Sequence, residues 1–452
     1  MGFISVGHDF HCQIIHLGKV FLTSHSNIGI LGTVTIGSTC WNIKSAAMTA
    51  TAHLPSRGYS RRFFAGVLSR LLLVVVAVDP AFAVASEKAP LLIGIDAEFG
   101  LQKSTSAQNI ELGARAAINE INQTGGLLGG RKLQLVIRDN RSIPARGVEN
   151  LRSLAAMPDL VAVLGGRFSP VVIEQLPLIA EKKIPFLAVW SSAEQIIANK
   201  QRPNYVFRVS LHDGLAMPFM LEHAAARGLD RVGLLLSNTA WGRSNLAAAE
   251  AYAKTRKPPK IVRSEWFSWA DTTLISKYRS LVSAGAKAII LVSNDEAAVL
   301  IKEMAALPES ERLPLIAHWG LTGGDFVQQA GPALGKVDIS VLQTFSFHKA
   351  DPRLRERFLK FASLDSSLRI EDIASPAGAA QAYDAVHLLA LAITRAGSTD
   401  RSRIRDALEQ LPPHRGLVKH YQKAFTPSNH EALGRQELLM TYFRSDGMVV
   451  PR

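Results

Sequence analysis

The stretch of this chain with the most chemistry to offer is Leu164-Gly165-Gly166-Arg167-Phe168-Ser169-Pro170. It lies between the end of an apolar run and the start of a helical pattern, where backbone N–H groups are free to bind a ligand carboxylate or carbonyl. A second glycine cluster, Gly125–Leu133 (GGLLGGRKL), has a different use. A phosphate loop needs Gly-Lys-Ser/Thr, with the hydroxyl on a metal and a helix following. Here Gly130 is followed by Arg-Lys-Leu and the loop follows a helix, so its glycines only turn the chain. No Gly-x-Gly-x-x-Gly stands at 164–170, which weakens a dinucleotide reading. There is no Gly-x-Ser-x-Gly elbow, no His-Glu-x-x-His and no pair of acids at defined spacing. Catalytic residues, a metal site and a cofactor are therefore all expected to be absent.

The elements that must position such a loop begin behind an export signal. Residues 56–85 read SRGYSRRFFAGVLSRLLLVVVAVDPAFAVA. Arg57, Arg61, Arg62 and Arg70 form a basic n-region, Leu71–Val78 is an apolar run, and Ala81-Phe82-Ala83 is a small-x-small cleavage pattern. The run is too short to span a bilayer, which takes about 20 apolar residues. Cleavage is expected near Ala83 or Ala85, giving a periplasmic protein. Ser60–Phe64 resembles a twin-arginine address, while Arg70 fits a general secretory signal equally well, so the route stays open. Residues 1–55 are expected to be a leader, either disordered or ahead of the true start, with Met48 giving a signal of ordinary length. Both cysteines, Cys12 and Cys40, lie in this leader, so the mature chain has no disulfide or thiolate chemistry. The mature balance is 45 basic against 36 acidic residues, or +9, with arginines scattered along helices and no aromatic interleaving. That is a solvated basic surface, and nucleic acid is not an expected partner.

Apolar runs bounded by turn signals recur at Leu91–Ile95, Leu133–Ile137, Val161–Leu164, Pro185–Val189, Val232–Leu236, Ile289–Val292 and Leu315–Ala317. Runs without alternation suit strands buried on both faces of a parallel sheet. Helical patterns lie between them at Ile110–Ile121, Ala145–Ala156, Pro170–Glu181, Leu215–Arg227, Arg243–Lys254, Thr272–Ala284 and Glu296–Ala306. Alternation of the two predicts βαβ units and an α/β fold. Asp271-Thr272 is expected to cap the helix that ends at Ala284. The extended segment Pro203–Ser210 is expected to cross between two lobes, and Val337–Phe347 to be a strand returning to the first.

The series ELGARAAINEINQTGGLLGGRKLQLVIRDN, VAVLGGRFSPVVIEQLPLIAEKKIPFLAV, PNYVFRVSLHD, NTAWGRSNLAAAEAYA, AGAKAIILV and AYDAVHLLALAI resembles the type I periplasmic binding proteins of the branched-chain amino-acid (Leu/Ile/Val) receptor group. The resemblance runs from Leu91 to the end. It implies an α/β fold of two Rossmann-like lobes with parallel-type central sheets, joined by three hinge crossings. The lobes are expected at 86–210 plus 340–415 and at 211–339 plus 416–452. It further implies a ligand in the cleft, hinge closure and delivery to an ABC-type membrane permease by what is expected to be a monomer.

Carried over position by position, the resemblance implies first-lobe ligand contacts at Ser169 and at Trp190-Ser191-Ser192. Hydroxyls and free amides at strand ends bind a carboxylate without burying a cation. It implies second-lobe contacts at Trp241, Asn294 and Asp295, and, at the place of His318-Trp319, a departure. Amino-acid receptors carry an acid near there to meet the ligand ammonium, and this chain offers none before Asp325. Phe168 is a second departure, where some relatives carry a disulfide cysteine. Arg167, His318, Trp190, Trp241 and Trp319 together suit a carboxylate, amide or aromatic ligand. The expected function is capture of a small polar solute for an ABC importer; the alternative is a ligand sensor of the same fold acting on a separate signalling partner.

Overall fold

The computed structural model describes residues 20–23, 29–32, 88–101, 104–255, 259–363, 367–444 and 446–451. The signal peptide expected at 56–85 lies outside the described residues. Met1–Ala85 and Ser86–Arg452 separate into two units. In the leader, β1 (Val20–Thr23) pairs antiparallel with β2 (Gly29–Gly32), a short hairpin not foreseen in a stretch without clear periodicity.

The main unit opens with β3 (Leu91–Ala97), α1 (Ser106–Gln123), β4 (Leu133–Asp139), α2 (Pro144–Ala155), β5 (Leu160–Gly165), α3 (Ser169–Glu181), β6 (Phe186–Ala188) and β7 (Val206–Arg208). These strands form a parallel sheet in the order β4-β3-β5-β6-β7. Every residue of β5, LVAVLG, is buried, as a strand covered by helices on both faces requires. Pro144 at the first position of α2 supplies a fixed φ where no N–H is needed.

The second sheet is built from α4 (Asp213–Ala226), β8 (Arg231–Ser237), α5 (Ala240–Thr255), β9 (Lys260–Phe267), α6 (Ile275–Ser283), β10 (Ala288–Val292), α7 (Ala297–Ala305), β11 (Leu315–Ala317), α8 (Phe326–Ala330) and β12 (Ile339–Gln343). Asp271 does not cap α6; its carboxylate accepts the Ser268 N–H at 3.2 Å, and the helix starts after Leu274. The chain then returns to the first sheet's helices with α9 (Pro352–Ala362), α10 (Pro376–Ala396) and α11 (Arg401–Leu408), α9 and α10 both packing on α1. After the hairpin β13 (His414–Arg415) and β14 (His420–Tyr421), β15 (Leu439–Phe443) and β16 (Val449–Pro451) add antiparallel to the second sheet. Its order is β16-β15-β12-β11-β10-β8-β9.

Two expectations about the crossings are corrected. The strand Ile339–Gln343 does not return to the first lobe; it pairs parallel with β11 and antiparallel with β15. The second crossing therefore follows it, between Gln343 and α9. Of the segment 416–452, expected in the second lobe, the part around 430–432 lies instead along the first sheet, while β15 and β16 pair in the second. The Arg208 N–H donates to the His430 carbonyl at 2.9 Å, the Ala432 N–H to the Arg208 carbonyl at 2.9 Å, and Phe207 stacks on His430. An exposed backbone edge on β7 explains this: its N–H and C=O groups need partners, and residues 430–432 supply them. The third crossing precedes β15.

Candidate functional site

Both sheets point the carboxyl ends of their strands at one crevice, the place where open α/β sheets gather ligand groups. The first lobe contributes Glu98 after β3, Arg167, Phe168 and Ser169 after β5, and Trp190 to Ser192 after β6. The second contributes Thr239 and Trp241 after β8, Trp269 after β9, Asn294 and Asp295 after β10, and His318 to Gly320 after β11. Arg167, Phe168, Ser169, Pro170, Trp190 and Ser192 face Thr239, Trp241, Trp269, Asn294, Trp319 and Gly320 around a narrow cavity. Beyond Phe168 and Trp269 it widens into an outer mouth edged by Arg141, Ile143, Asp295 and Glu296.

The two walls touch through aromatic rings. Trp190 and Trp319, both buried, lie 5.1 Å apart at a tilt of 31°. Phe168 meets Trp269 edge-on at 5.1 Å. Gly320 permits the arrangement, since a Cβ there would lie 2.5 Å from the Ser293 carbonyl oxygen and 2.8 Å from Trp241 Cη2.

Among the expected contacts, Ser169, Trp190, Ser192, Trp241, Asn294 and Trp319 all line the cavity. The Ser169 hydroxyl does not cap α3; it accepts the Ala193 N–H at 3.3 Å. Ser191 does not line the cavity: its hydroxyl turns inward and donates to the Gly166 carbonyl at 2.6 Å. Asp295 edges the outer mouth, 3.6 Å from Arg167 Nη2, and accepts from Gln329 at 3.2 Å. His318 is fully buried behind the wall, its ring 4.9 Å from Trp241 and edge-on to it.

The sequence did not reveal Asp213, Thr239 or Trp269, and Arg167 was weighed without being placed. Asp213, the first residue of α4, is fully buried; its Oδ1 accepts the Trp241 indole N–H at 3.2 Å and lies 3.4 Å from His318 Nε2. Its Oδ2 has no hydrogen-bond partner among the described residues. The acid missing near position 318 thus arrives from another element, behind the cavity wall. Asp213 stands in an Asp-Gly pair, a local turn signal that carries no information about His318.

The Trp190–Glu194 loop is held on all sides. Arg208, fully buried at the end of β7, donates through Nη1 to the carbonyls of Ser191 (3.3 Å) and Ala193 (3.0 Å). Its other nitrogens make a bidentate pair with Glu431 at 2.8 and 2.7 Å. The Ser192 carbonyl accepts the Asp213 N–H at 3.0 Å, and the Glu194 N–H donates to the second-lobe hydroxyl of Ser244 at 3.0 Å. At the mouth, burial pushes the Glu296 carboxyl above its ordinary range and Asp295 adds to it, while Arg167 pulls the other way.

Residues 99–441 match the family described as periplasmic binding protein. The Leu/Ile/Val-binding protein homolog 1 of Brucella abortus (strain 2308) is 24% identical over 351 residues, 76% of this chain and 89% of that protein. A periplasmic binding protein type 1 from Bordetella pertussis Tohama I superposes with a TM-score of 0.71 at 20% identity, covering 80% of this chain and 100% of that one. An ABC transporter solute-binding protein from R. palustris in complex with 4-hydroxybenzoate shares the fold at a TM-score of 0.68 and 16% identity, over 80% of this chain and 95% of that one. With both lobes, their crossings and the cleft in place, the chain belongs to the periplasmic binding protein family, whose members bind solutes and are not enzymes.

Proposed function

We propose that this protein captures a small polar solute (an amino acid, amide or carboxylate) between its lobes and delivers it to an ABC-type permease. The observation that carries the reading is the interlobe cleft whose walls come from both lobes, with hydroxyls and the Arg167 guanidinium set among indoles from the two sides. Its few convergent polar groups are placed to fix a ligand's orientation while the aromatic rings supply burial. The Leu/Ile/Val name of the Brucella relative and the 4-hydroxybenzoate held by the R. palustris protein support a carboxylate-bearing ligand. The basic n-region, apolar run and Ala-x-Ala of residues 56–85 support export to the periplasm.

The test is mass spectrometry of the small molecule released from the purified, denatured protein, followed by a thermal-shift panel of amino acids, amides and carboxylates. A stabilising solute whose uptake is lost on gene deletion is the expected result. Uptake intact, with loss of a transcriptional response to that solute, would replace transport by sensing.

A further inference from the structure

The guanidinium of Arg167 is the least satisfied polar group in the cleft. Its side chain is 4% exposed, it lines the cavity, and its Nε and Nη1 find no hydrogen-bond partner among the described residues. Two carboxylates balance its charge from outside bonding range, Glu98 at 3.9 Å in the first lobe and Asp295 at 3.6 Å in the second. The guanidinium carbon lies 4.6 Å over the Phe168 ring, and Gly323 makes room for it, since a Cβ there would approach Nη1 to 2.5 Å. A buried donor left empty costs on the order of 1–3 kcal/mol, and more when charged. The cleft therefore holds its unmet demand in donors.

Its acids are otherwise engaged. Glu98 accepts from the hydroxyls of Ser104 and Ser106 and from the backbone N–H of Arg167. Glu296 accepts the Asn294 N–H at 3.0 Å, and Asp295 accepts from Gln329. Asp213 is turned to Trp241 and His318 and does not line the cavity. An α-ammonium entering this space meets no open carboxylate on the wall, and burying it unpaired costs several kcal/mol.

Resting on the solute-binding reading above, we propose that Arg167 is the anion anchor of the cleft and that the protein selects carboxylates with a flat apolar body and no α-ammonium. Asp295 reaches Arg167 only from the opposite lobe, so it acts as a built-in competitor that an arriving carboxylate displaces from the guanidinium. The aromatic wall of Trp190, Trp241 and Trp319 covers the ligand's apolar part.

Matched pairs test this: phenylalanine against 3-phenylpropanoate, and leucine against 4-methylpentanoate, each pair differing only by the ammonium group. Titration calorimetry on the full mature chain is expected to give at least about tenfold tighter binding to the ammonium-free member. Arg167→Gln should weaken that member about tenfold to a hundredfold, the worth of a hydrogen-bonded charge, with Arg167→Lys in between. Asp295→Asn, at the partly exposed mouth, should strengthen it a few-fold and serves as the independent variant if Arg167→Gln fails to fold. Tighter binding of the amino acids overturns the inference and points to the free oxygen of Asp213 as the ammonium partner, leaving the solute-binding reading intact. Unchanged affinity in both Arg167→Gln and Asp295→Asn overturns it as well. No binding of any solute in the wider thermal-shift panel overturns the solute-binding reading and the inference with it.

Discussion

The two walls of the cleft are built on different principles. Beside its two rings, Phe168 and Trp190, the first-lobe wall is polar and over-determined: Ser169, Ser191, Ser192 and Ala193 are each tied by hydrogen bonds to Gly166, Asp213, Arg208 or one another. The second-lobe wall is aromatic, Trp241, Trp269 and Trp319, with an imidazole and a carboxylate hidden behind. A network of directional bonds tolerates little displacement, whereas stacked rings slide. The polar wall is therefore suited to choosing the ligand and the aromatic wall to supplying buried area and lobe-to-lobe contact.

Substitutions can break this contrast. The largest effect is expected from Trp319→Ala, which removes a fully buried indole from the Trp190 stack. Loss of about 3–5 kcal/mol of stability in urea unfolding is the expectation, and a change under about 1 kcal/mol would mean that the aromatic wall carries little weight. Next comes Glu431→Gln, which leaves the Arg208 guanidinium without its charge partner and loosens the Ser191 and Ala193 carbonyls. Stability should fall by about 1–3 kcal/mol, with faster amide exchange confined to residues 190–194. Uniform protection changes across both lobes would show that Arg208 is general scaffolding rather than support for the polar wall.

Trp241→Ala and Ser169→Ala should each weaken solute binding by at least about tenfold, or 1.4 kcal/mol; unchanged calorimetric affinity in both would remove the cleft assignment. A further test separates the lobes by pH. Burial, helped by His387, pushes His414 of the first lobe down from 6.5 to about 4. The unfolded chain thus takes up a proton that the folded chain refuses between those values, so this group lowers stability as pH falls from 6.5 to 4. His414→Gln should remove that part of the acid loss, and parallel pH profiles for variant and wild type would refute the assignment.

How much of this was legible depends on burial. The runs Leu91–Ile95 to Leu315–Ala317 announced themselves because parallel strands covered on both faces are apolar throughout. The strand β9 did not: KIVRSEWF is half-exposed at the sheet edge, so it shows no such run, and Trp269 beyond it went unplaced. Ser169, Trp190, Trp241 and Trp319 were found through the resemblance, because each follows a strand end. His318 was assigned to the ligand surface for the same reason, yet the rings around it hide it, a packing outcome that no spacing encodes. The C-terminal third was hardest. Its hairpin β13–β14 and strands β15 and β16 are short, and the lobe that β15 joins is decided by pairing about a hundred positions away, with Thr441 donating to the Val341 carbonyl at 2.7 Å.

The stack of Trp190 on Trp319 has an optical consequence. Two indoles held 5.1 Å apart, one on each lobe, couple their electronic transitions in the near ultraviolet. Any movement that parts the lobes parts the chromophores, so the circular dichroism of the unlabelled protein is a gauge of whether the cleft is open or shut. The molecule carries its own reporter, readable during a titration without dye, tag or substitution.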